Sequence, residues 1–177
     1  MIRGANIEDV EPITNGLWKV WQHLKARQIG TPMQRYKSRN GLADEIRNDL
    51  TRWLVYETPD PNRWGFFALS HDVNSIFYKK MGFPEDFVTI NHFACLLKGE
   101  ILLEQFQALS AYLPDESVSL SISTTLRDAY WAALKAGFKL LGEQPLVVGE
   151  YAWLYLDRER KFEMIQTKLI KARMIIS

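Results

Sequence analysis

The sequence predicts one α+β domain, because segments with the periodicity of strands alternate with segments of helical periodicity along the chain. A clear helical pattern is the spacing of the apolar residues Val10, Ile13, Leu17, Val20, Trp21 and Leu24. Runs such as 64–69 and 87–97 are rich in aromatic and β-branched residues, which favour strands. The 177 residues, of which 47 % are hydrophobic, suffice for one substantial core and are few for two independent domains.

The predicted elements follow one another with short connections and no low-complexity linker. In chain order they are a strand at 2–5, a helix from Val10, a helix at 41–53, strands at 53–57 and 64–69, a helix at 73–81, a strand at 87–97, a helix at 100–113, a strand at 118–122, a helix at 125–136, strands at 138–141 and 151–156, and a helix at 159–174. Asp9 is placed to cap the first helix, whose first turn tolerates Pro12. Gly82 and Gly137 are natural left-handed stops for the helices before them.

Two Gly-Phe pairs form a weak internal echo, at 82–83 and at 137–138, each after a helix and next to strand-like residues. The echo is open to two interpretations. It is either the trace of a duplication or a resemblance that any two glycine-terminated helices share.

The charge pattern excludes one class of function and leaves one question open. A net charge of +1 argues against a protein that coats nucleic acid. Between Glu11 and Asp44, however, there is no acidic residue, whereas basic residues recur from Lys19 to Arg39, and a second basic excess lies between 158 and 173. These stretches are either solvated helix faces or a surface that meets an anionic ligand or a protein partner.

The single cysteine and the absence of long apolar segments predict a cytoplasmic protein. Cys95 has no cysteine to pair with and lies in an apolar run, so we expect a buried thiol. The sequence has neither a secretory leader nor an apolar stretch of the roughly 20 residues that span a bilayer. The three histidines, His23, His71 and His92, have no partner at the spacing of metal ligands, so no metal site is expected.

The order of elements resembles that of the GNAT superfamily of acetyltransferases. Ile2-Arg3-Gly4-Ala5, followed by Asp9 and Ile13, is similar to the customary start of that family. Residues 117–156 are similar to its customary end, in which a strand and a helix closing in Gly-Phe precede two strands. The resemblance covers residues 1–157, with 158–177 as a C-terminal helical extension. It implies a mixed, mostly antiparallel central sheet flanked by helices.

The resemblance also implies acetyl-CoA, or another acyl-CoA, held where the central strand enters the next helix. Backbone N–H groups and the helix dipole stabilise a pyrophosphate there. In this sequence the matching residues are Cys95 and Leu97, through their backbone, and Lys98, Gly99 and Ile101 in the loop. The junction departs from the family pattern: it is short, it has a single glycine, and its Glu100 would repel a pyrophosphate.

Three side chains are candidates for proton transfer, namely Tyr130, His92 and Glu57. Where the family commonly has an asparagine and a tyrosine, this sequence has Leu126 and Ala133, and Tyr130 lies about one turn before the latter. Each candidate also has a structural interpretation: Tyr130 as a ring packed with Trp131, His92 as a strand histidine, and Glu57 as an acid beside a turn.

Two functions are therefore expected from the resemblance. The first is an N-acyltransferase that moves an acetyl or acyl group from acyl-CoA directly to a small-molecule or protein amine. The alternative is a catalytically inactive GNAT-fold protein that binds or assembles through the basic stretch Lys19–Arg39. A different small-molecule enzyme on the same scaffold is a third possibility, since a fold does not determine a function.

Overall fold

A mixed β-sheet forms the centre of the molecule, with helices on both faces. The structure is a computed structural model that describes residues 1–27, 38–48, 51–71, 87–145 and 150–156, without the side chains of 141–145, 150, 151 and 153. The described strands are β1 (Ile2–Gly4), β2 (Arg52–Tyr56), β3 (Gly65–Ser70), β4 (Phe87–Phe93), β5 (Ser117–Ser123), β6 (Lys139–Pro145) and β7 (Glu150–Leu156). The described α-helices are α1 (Val10–Ala26), α2 (Arg39–Asn48), α3 (Gly99–Tyr112) and α4 (Arg127–Lys135).

The described strands form one sheet in the order β1-β2-β3-β4-β5-β7-β6. All neighbouring strands are antiparallel except β4 and β5, which run parallel. The predicted mixed and mostly antiparallel sheet is therefore confirmed.

Alternation along β3 separates two cores, because successive side chains of a strand point to opposite faces. Phe66 and Ala68 belong to the apolar cluster that contains Ile13 of α1 and Leu42 of α2. Phe67 belongs to the second and larger cluster, together with the apolar faces of α3 and α4. The first part of α1 and α2 thus cover one face of the sheet and α3 and α4 the other, where Val20 and Leu24 from the end of α1 join them.

A β-bulge interrupts the alternation of β4 near its carboxyl end. Ala68 pairs with His92, whereas the next residue of β3, Leu69, pairs with Ile90, so Asn91 is an additional residue in β4. Ile90 and Phe93 consequently belong to the same core although three positions separate them. Bulges of this kind bend a strand and redirect its side chains.

The first helix begins differently from its prediction. Asp9 makes no side-chain capping bond to α1. Instead its carboxylate accepts hydrogen bonds from the backbone N–H of Asn6, at 2.8 Å, and from both terminal nitrogens of Arg3, at 2.7 and 3.0 Å. Asn6 caps the short 3-10 turn Ile7–Asp9 that precedes the helix. The Asp9 carboxylate thus joins β1 to the start of α1.

Further boundaries differ from prediction, among them the end of β6, which lies at Pro145 rather than at 141. α2 ends at Asn48, and Trp53, predicted to end that helix, is the second residue of β2. β4 ends at Phe93 rather than at Leu97, because its described ladder with β3 ends at the pair Phe67–Phe93 and its ladder with β5 ends earlier. After Phe93 the backbone N–H groups of Cys95 and Leu97 donate to the carbonyls of Phe93 and Ala94, so the chain turns.

Gly137 ends α4 as predicted, with φ of 103°, a conformation that favours glycine. The next N–H group, of Phe138, donates to the carbonyl of Ala133 at 3.1 Å, and that of Gly137 donates to Leu134, which is the pattern of a Schellman motif. The first Gly-Phe pair and the predicted helices at 73–81 and 159–174 lie outside the described residues.

No helix in the described part of the chain is long and apolar enough to cross a membrane. The same residues contain no group of three or more potential metal-ligating side chains.

Candidate active site

The parallel strands β4 and β5 separate before either of them ends. Their ladder begins with the pair Phe87–Ser117, and its last described pair is Ile90–Leu120. Both strands continue for three residues beyond it, to Phe93 and Ser123. Over that length β4 remains with β3 and β5 with β7. The carboxyl ends of two central strands therefore diverge at this edge of the sheet.

A turn follows β4 and leads directly into α3. The N–H group of Cys95 donates to the carbonyl of Phe93 at 2.8 Å, and that of Leu97 donates to Ala94 at 3.3 Å. The two backbone groups that the resemblance assigned to the cofactor are thus hydrogen-bonded within the turn. They would have to exchange these bonds to bind a ligand.

The first turn of α3 offers other donors. Lys98 precedes the helix in an extended conformation and makes no side-chain cap. The first backbone bond of the helix runs from Leu102 to the carbonyl of Lys98, at 3.0 Å. The N–H groups of residues 99–101 come before that bond and have no partner within the helix. They include the predicted loop residues Gly99 and Ile101.

Two clefts open beside this turn. The first, which we call the α1 cleft, has a volume of about 470 Å³. It is lined by Pro12, Asn15, Gly16, Lys19 and Val20 of α1, by Pro61, Asn62, Trp64 and Phe66, and by Ala94, Leu96 and Leu97. The second, the α4 cleft, has a volume of about 370 Å³. It is lined by His23 and Arg27, by Cys95, Leu96 and Leu97, and by residues 125–128. The two clefts share Leu96 and Leu97 and meet at the turn.

The α4 cleft carries positive charge. Arg27, at the end of α1, and Arg127, the first residue of α4, both line it, against one carboxylate, that of Asp128. Burial, and secondarily the charge of Arg27, lowers the pKa of His23, so its imidazole is neutral at pH 7. No side chain caps the start of α4, which follows Leu126. Two guanidinium groups beside an uncapped helix start favour an anion.

The starts of α3 and α4 touch each other next to this cleft. A β-carbon added to Gly99 would lie 3.7 Å from the carbonyl oxygen of Asp128. Glu100 lies in the first turn of α3, and Asp128 lies in the first turn of α4. Each acid is favourable for its own helix but opposes an anion placed between the two helices.

The three predicted proton-transfer residues lie apart from one another, and none of them is among the described residues that line either cleft. The Glu57 carboxylate accepts hydrogen bonds from Arg3 at 3.1 and 3.2 Å. His92 is buried and stacks on Trp53, with ring centroids 5.9 Å apart and planes inclined by 5°. The ring of Tyr130 meets that of Trp131 edge-on at 5.7 Å. Each of the three side chains thus makes a described contact outside the two clefts.

Cys95 lies at the wall of the α4 cleft, but its thiol is unsuited to nucleophilic attack. The residue is 4 % exposed. Burial raises the pKa of the thiol to about 12, so the thiolate is scarce at neutral pH.

The described cations of the basic stretch Lys19–Arg39 lie in different surroundings. Lys19 lines the α1 cleft, and Arg27 lines the α4 cleft. The ammonium of Lys25 lies 4.8 Å from the ring centre of Trp21, and Arg39 pairs with Glu11 at 2.8 Å. Arg35 and Lys37 lie outside the described residues.

Arg127 and Trp64 are two of the cleft residues that sequence reasoning missed. The β propensity of Trp64 predicts a strand residue, whereas it lies just before β3, in the wall of the α1 cleft. Arg127 carried a usable signal, because a cation at the first position of a helix opposes the dipole of that helix. A local conflict of this kind often marks a functional position.

Comparison with known proteins gives structural but no sequence relatives. No family model and no curated protein matches the sequence. The solved structure of yncA from Salmonella typhimurium, described as an acetyltransferase with its cofactor acetyl-CoA, is similar, with a TM-score of 0.58 and 15 % identity over 90 % of this chain and 94 % of that one. A ribosomal-protein-S5-alanine acetyltransferase from Vibrio fischeri gives a TM-score of 0.60 and 10 % identity over 90 % and 93 % of the two chains. A mutant of the spermidine N-acetyltransferase from Vibrio cholerae gives a TM-score of 0.56 and 16 % identity over 92 % and 96 %.

Proposed function

We propose that this chain, which has the fold of the GNAT acetyltransferases, transfers an acyl group from acyl-CoA to an amine. The observation that carries the proposal is that the α1 cleft and the α4 cleft meet at Leu96 and Leu97. They meet where β4 and β5 diverge, at the edge of the sheet. Ligands in the two clefts would face each other across one turn of the chain. Direct transfer requires such proximity.

The residues of the α4 cleft fit an acyl-CoA in their charge. Arg27 and Arg127 would hold phosphate groups, assisted by the free N–H groups at the start of α4 and by those of Gly99 and Ile101. Lys98 supplies a further cation at the loop. When bound, acyl-CoA supplies an activated thioester. The walls formed by Cys95, Leu97 and Leu126 would exclude water from its acyl end.

The transfer needs no covalent intermediate on the protein. The amine nitrogen attacks the carbonyl carbon of the thioester, a C–N bond forms, and the C–S bond breaks with its electron pair on sulfur. The nitrogen loses one proton, and the departing sulfur gains one. Tyr130 lies one helical turn after Arg127 and remains our proposed donor to the sulfur; Glu57 and His92 remain predictions as bases. Direct transfer is consistent with Cys95, because burial makes its thiol a poor nucleophile for an acyl-enzyme intermediate.

Isothermal titration calorimetry with acetyl-CoA tests the proposal. We expect saturable binding of one acetyl-CoA per chain. Leu96→Trp should weaken it by about tenfold or more, because the larger side chain fills the place shared by the clefts. The matched control is Tyr112→Trp on α3, since Tyr112 is 43 % and Leu96 40 % exposed, and Tyr112 lines neither cleft. Absence of binding at millimolar acetyl-CoA would refute the proposal.

A second candidate function is a binding protein without catalysis. The contact of Gly99 with Asp128 and the acid Glu100 in the first turn of α3 favour it, because both oppose a pyrophosphate between the helices. A chain of this kind would show no acetyl-CoA-dependent acylation with any amine tested.

For the acyltransferase we propose a cytoplasmic location, which suits the single unpaired cysteine.

A further inference from the structure

The walls of the α1 cleft are mostly apolar. Trp64 and Phe66 line it, together with Leu96 and Leu97, which also line the α4 cleft. Gly16 lets α1 pack directly on Phe66, because a β-carbon at this position would lie 2.6 Å from the ring. Trp64 and Phe66 contact each other with ring centroids 6.0 Å apart. These rings form a surface suited to an aliphatic or aromatic group.

No carboxylate is found among the described residues that line this cleft. Two acids are close to lining residues in the sequence, but both are engaged. Glu11 pairs with Arg39 at 2.8 Å, and Asp60 accepts hydrogen bonds from the backbone and side-chain nitrogens of Asn62, at 2.9 and 3.1 Å. A polycationic amine would therefore enter a cleft without compensating charge, which is unfavourable.

Lys19 is the one charged residue among the described residues of the cleft walls. It forms no ion pair within the described part of the chain. Its ammonium is a donor for an anionic group of the ligand. Charge-assisted hydrogen bonds from an ammonium to a carboxylate are among the stronger ones.

The apolar walls bear on the protonation of an acceptor amine. Removal of the amine from water disfavours its charged ammonium form. An amine next to Leu96 and Leu97 would lose its proton more easily than in water. A carboxylate base in the cleft is therefore not required to deprotonate it.

Together these features select one class of acceptor. We infer that the α1 cleft binds a monoamine that carries both a carboxylate and an apolar group, that is, an apolar or aromatic α-amino acid. Its carboxylate pairs with Lys19, its side chain packs on Trp64, and its amine points to Leu97. The inference rests on the proposed function for the transfer step: the amine displaces the sulfur of the thioester, and an N-acyl amino acid and a free thiol result.

The test compares acceptors that differ in one property each. L-Phenylalanine, L-phenylalaninamide, glycine and spermidine are assayed with acetyl-CoA, and the binding of L-phenylalanine alone is followed by calorimetry. We expect L-phenylalanine to be preferred about tenfold or more over its amide, which lacks the carboxylate. Glycine, which lacks the apolar group, and spermidine should be poor acceptors.

Variants of α1 provide the matched comparison. Lys19→Met should weaken the binding of L-phenylalanine by about tenfold or more and leave the weaker binding of its amide nearly unchanged. Lys25→Met is the control, because Lys25 lies on the same helix over the ring of Trp21, outside the cleft.

The outcomes separate the inference from the proposed function. If acetyl-CoA binds but spermidine is the better acceptor, or if Lys19→Met changes nothing, the inference is wrong and the acyltransferase stands. If acetyl-CoA does not bind, the acyltransferase fails, and the calorimetry of L-phenylalanine alone decides the inference. Binding of L-phenylalanine that is weakened by Lys19→Met then supports the inference, and absence of L-phenylalanine binding overturns it.

Discussion

Gly99 and Asp128 bring the starts of α3 and α4 into contact, with 3.7 Å between the position of a β-carbon on Gly99 and the carbonyl oxygen of Asp128. A phosphate cannot lie between groups at this distance. The ligand must therefore enter beside the contact, through the α4 cleft, or move the two helix starts apart. The contribution of the N–H groups of α3 to cofactor binding can therefore be tested separately from that of the guanidinium groups of the α4 cleft.

Gly99→Pro tests the contribution of α3. Gly99 is the first residue of the helix, where proline is tolerated, so the substitution removes one N–H group and preserves the helix. We expect the affinity for acetyl-CoA to fall by about tenfold, the value of a hydrogen bond to a charged group, at a nearly unchanged melting temperature. Gly99→Ala, which keeps the N–H, is the control. Equal affinity of both variants would show that α3 does not hold the cofactor.

Arg27→Ala and Arg127→Ala test the contribution of the α4 cleft. Each should lower the affinity for acetyl-CoA by about tenfold and reduce the dependence of binding on salt, because each removes one phosphate contact. Lys135→Ala, at the other end of α4, is the control, since Lys135 lines neither cleft. A loss in the control as large as in the arginine variants would point to a long-range effect of charge.

The ion pair between Arg3 and Asp9 is expected to make the stability of the protein depend on pH. Burial alone would raise the pKa of Asp9, but the hydrogen bonds from Arg3 and from the N–H of Asn6 outweigh it and lower that pKa. The contribution of Asp9 is complete above the ordinary carboxyl pKa of about 4 and is lost as the pH falls through the lowered folded value. Asp9→Asn should therefore lower the free energy of unfolding by about 2 kcal/mol at pH 7 and by less at pH 3.

Urea unfolding of both proteins at several pH values measures this difference. Asp44→Asn is the control, because Asp44 is exposed and its contact with Arg47 is 3.5 Å long. A difference between wild type and Asp9→Asn that stays constant from pH 7 to pH 3 would contradict the assignment.

We expect the thiol of Cys95 to react only in the unfolded protein. Burial and the raised pKa both suppress the thiolate, so a disulfide reagent such as Ellman's should modify the native chain far more slowly than the denatured one. The chain has a single cysteine, so the signal has one source. Rapid modification of the native protein without loss of structure would show that the wall of the α4 cleft opens.

Much of the fold could be predicted from local patterns. Helical spacing from Val10 to Leu24 placed α1, and the glycine stop at Gly137 placed the end of α4. These features depend on neighbours in the sequence. The mixed sheet could be expected only from the resemblance, because strand order depends on contacts between distant segments.

The candidate site was less accessible to prediction for the same reason. The bulge at Asn91 is a property of the register between β3 and β4, and β4 ends at Phe93 after its described ladders with β3 and β5 have ended. The approach of Arg27 to Arg127 joins the end of α1 to the start of α4, one hundred positions away. Local sequence patterns do not indicate contacts between residues that are so far apart in the chain.

A crystal structure with bound acetyl-CoA tests the central claim most directly. We expect the thioester beside Leu96 and Leu97, between the separating ends of β4 and β5, with phosphate groups within hydrogen-bonding distance of Arg27 or Arg127. Acetyl-CoA bound at any other place, or a separation of the strands filled by protein side chains at saturating ligand, would contradict the account.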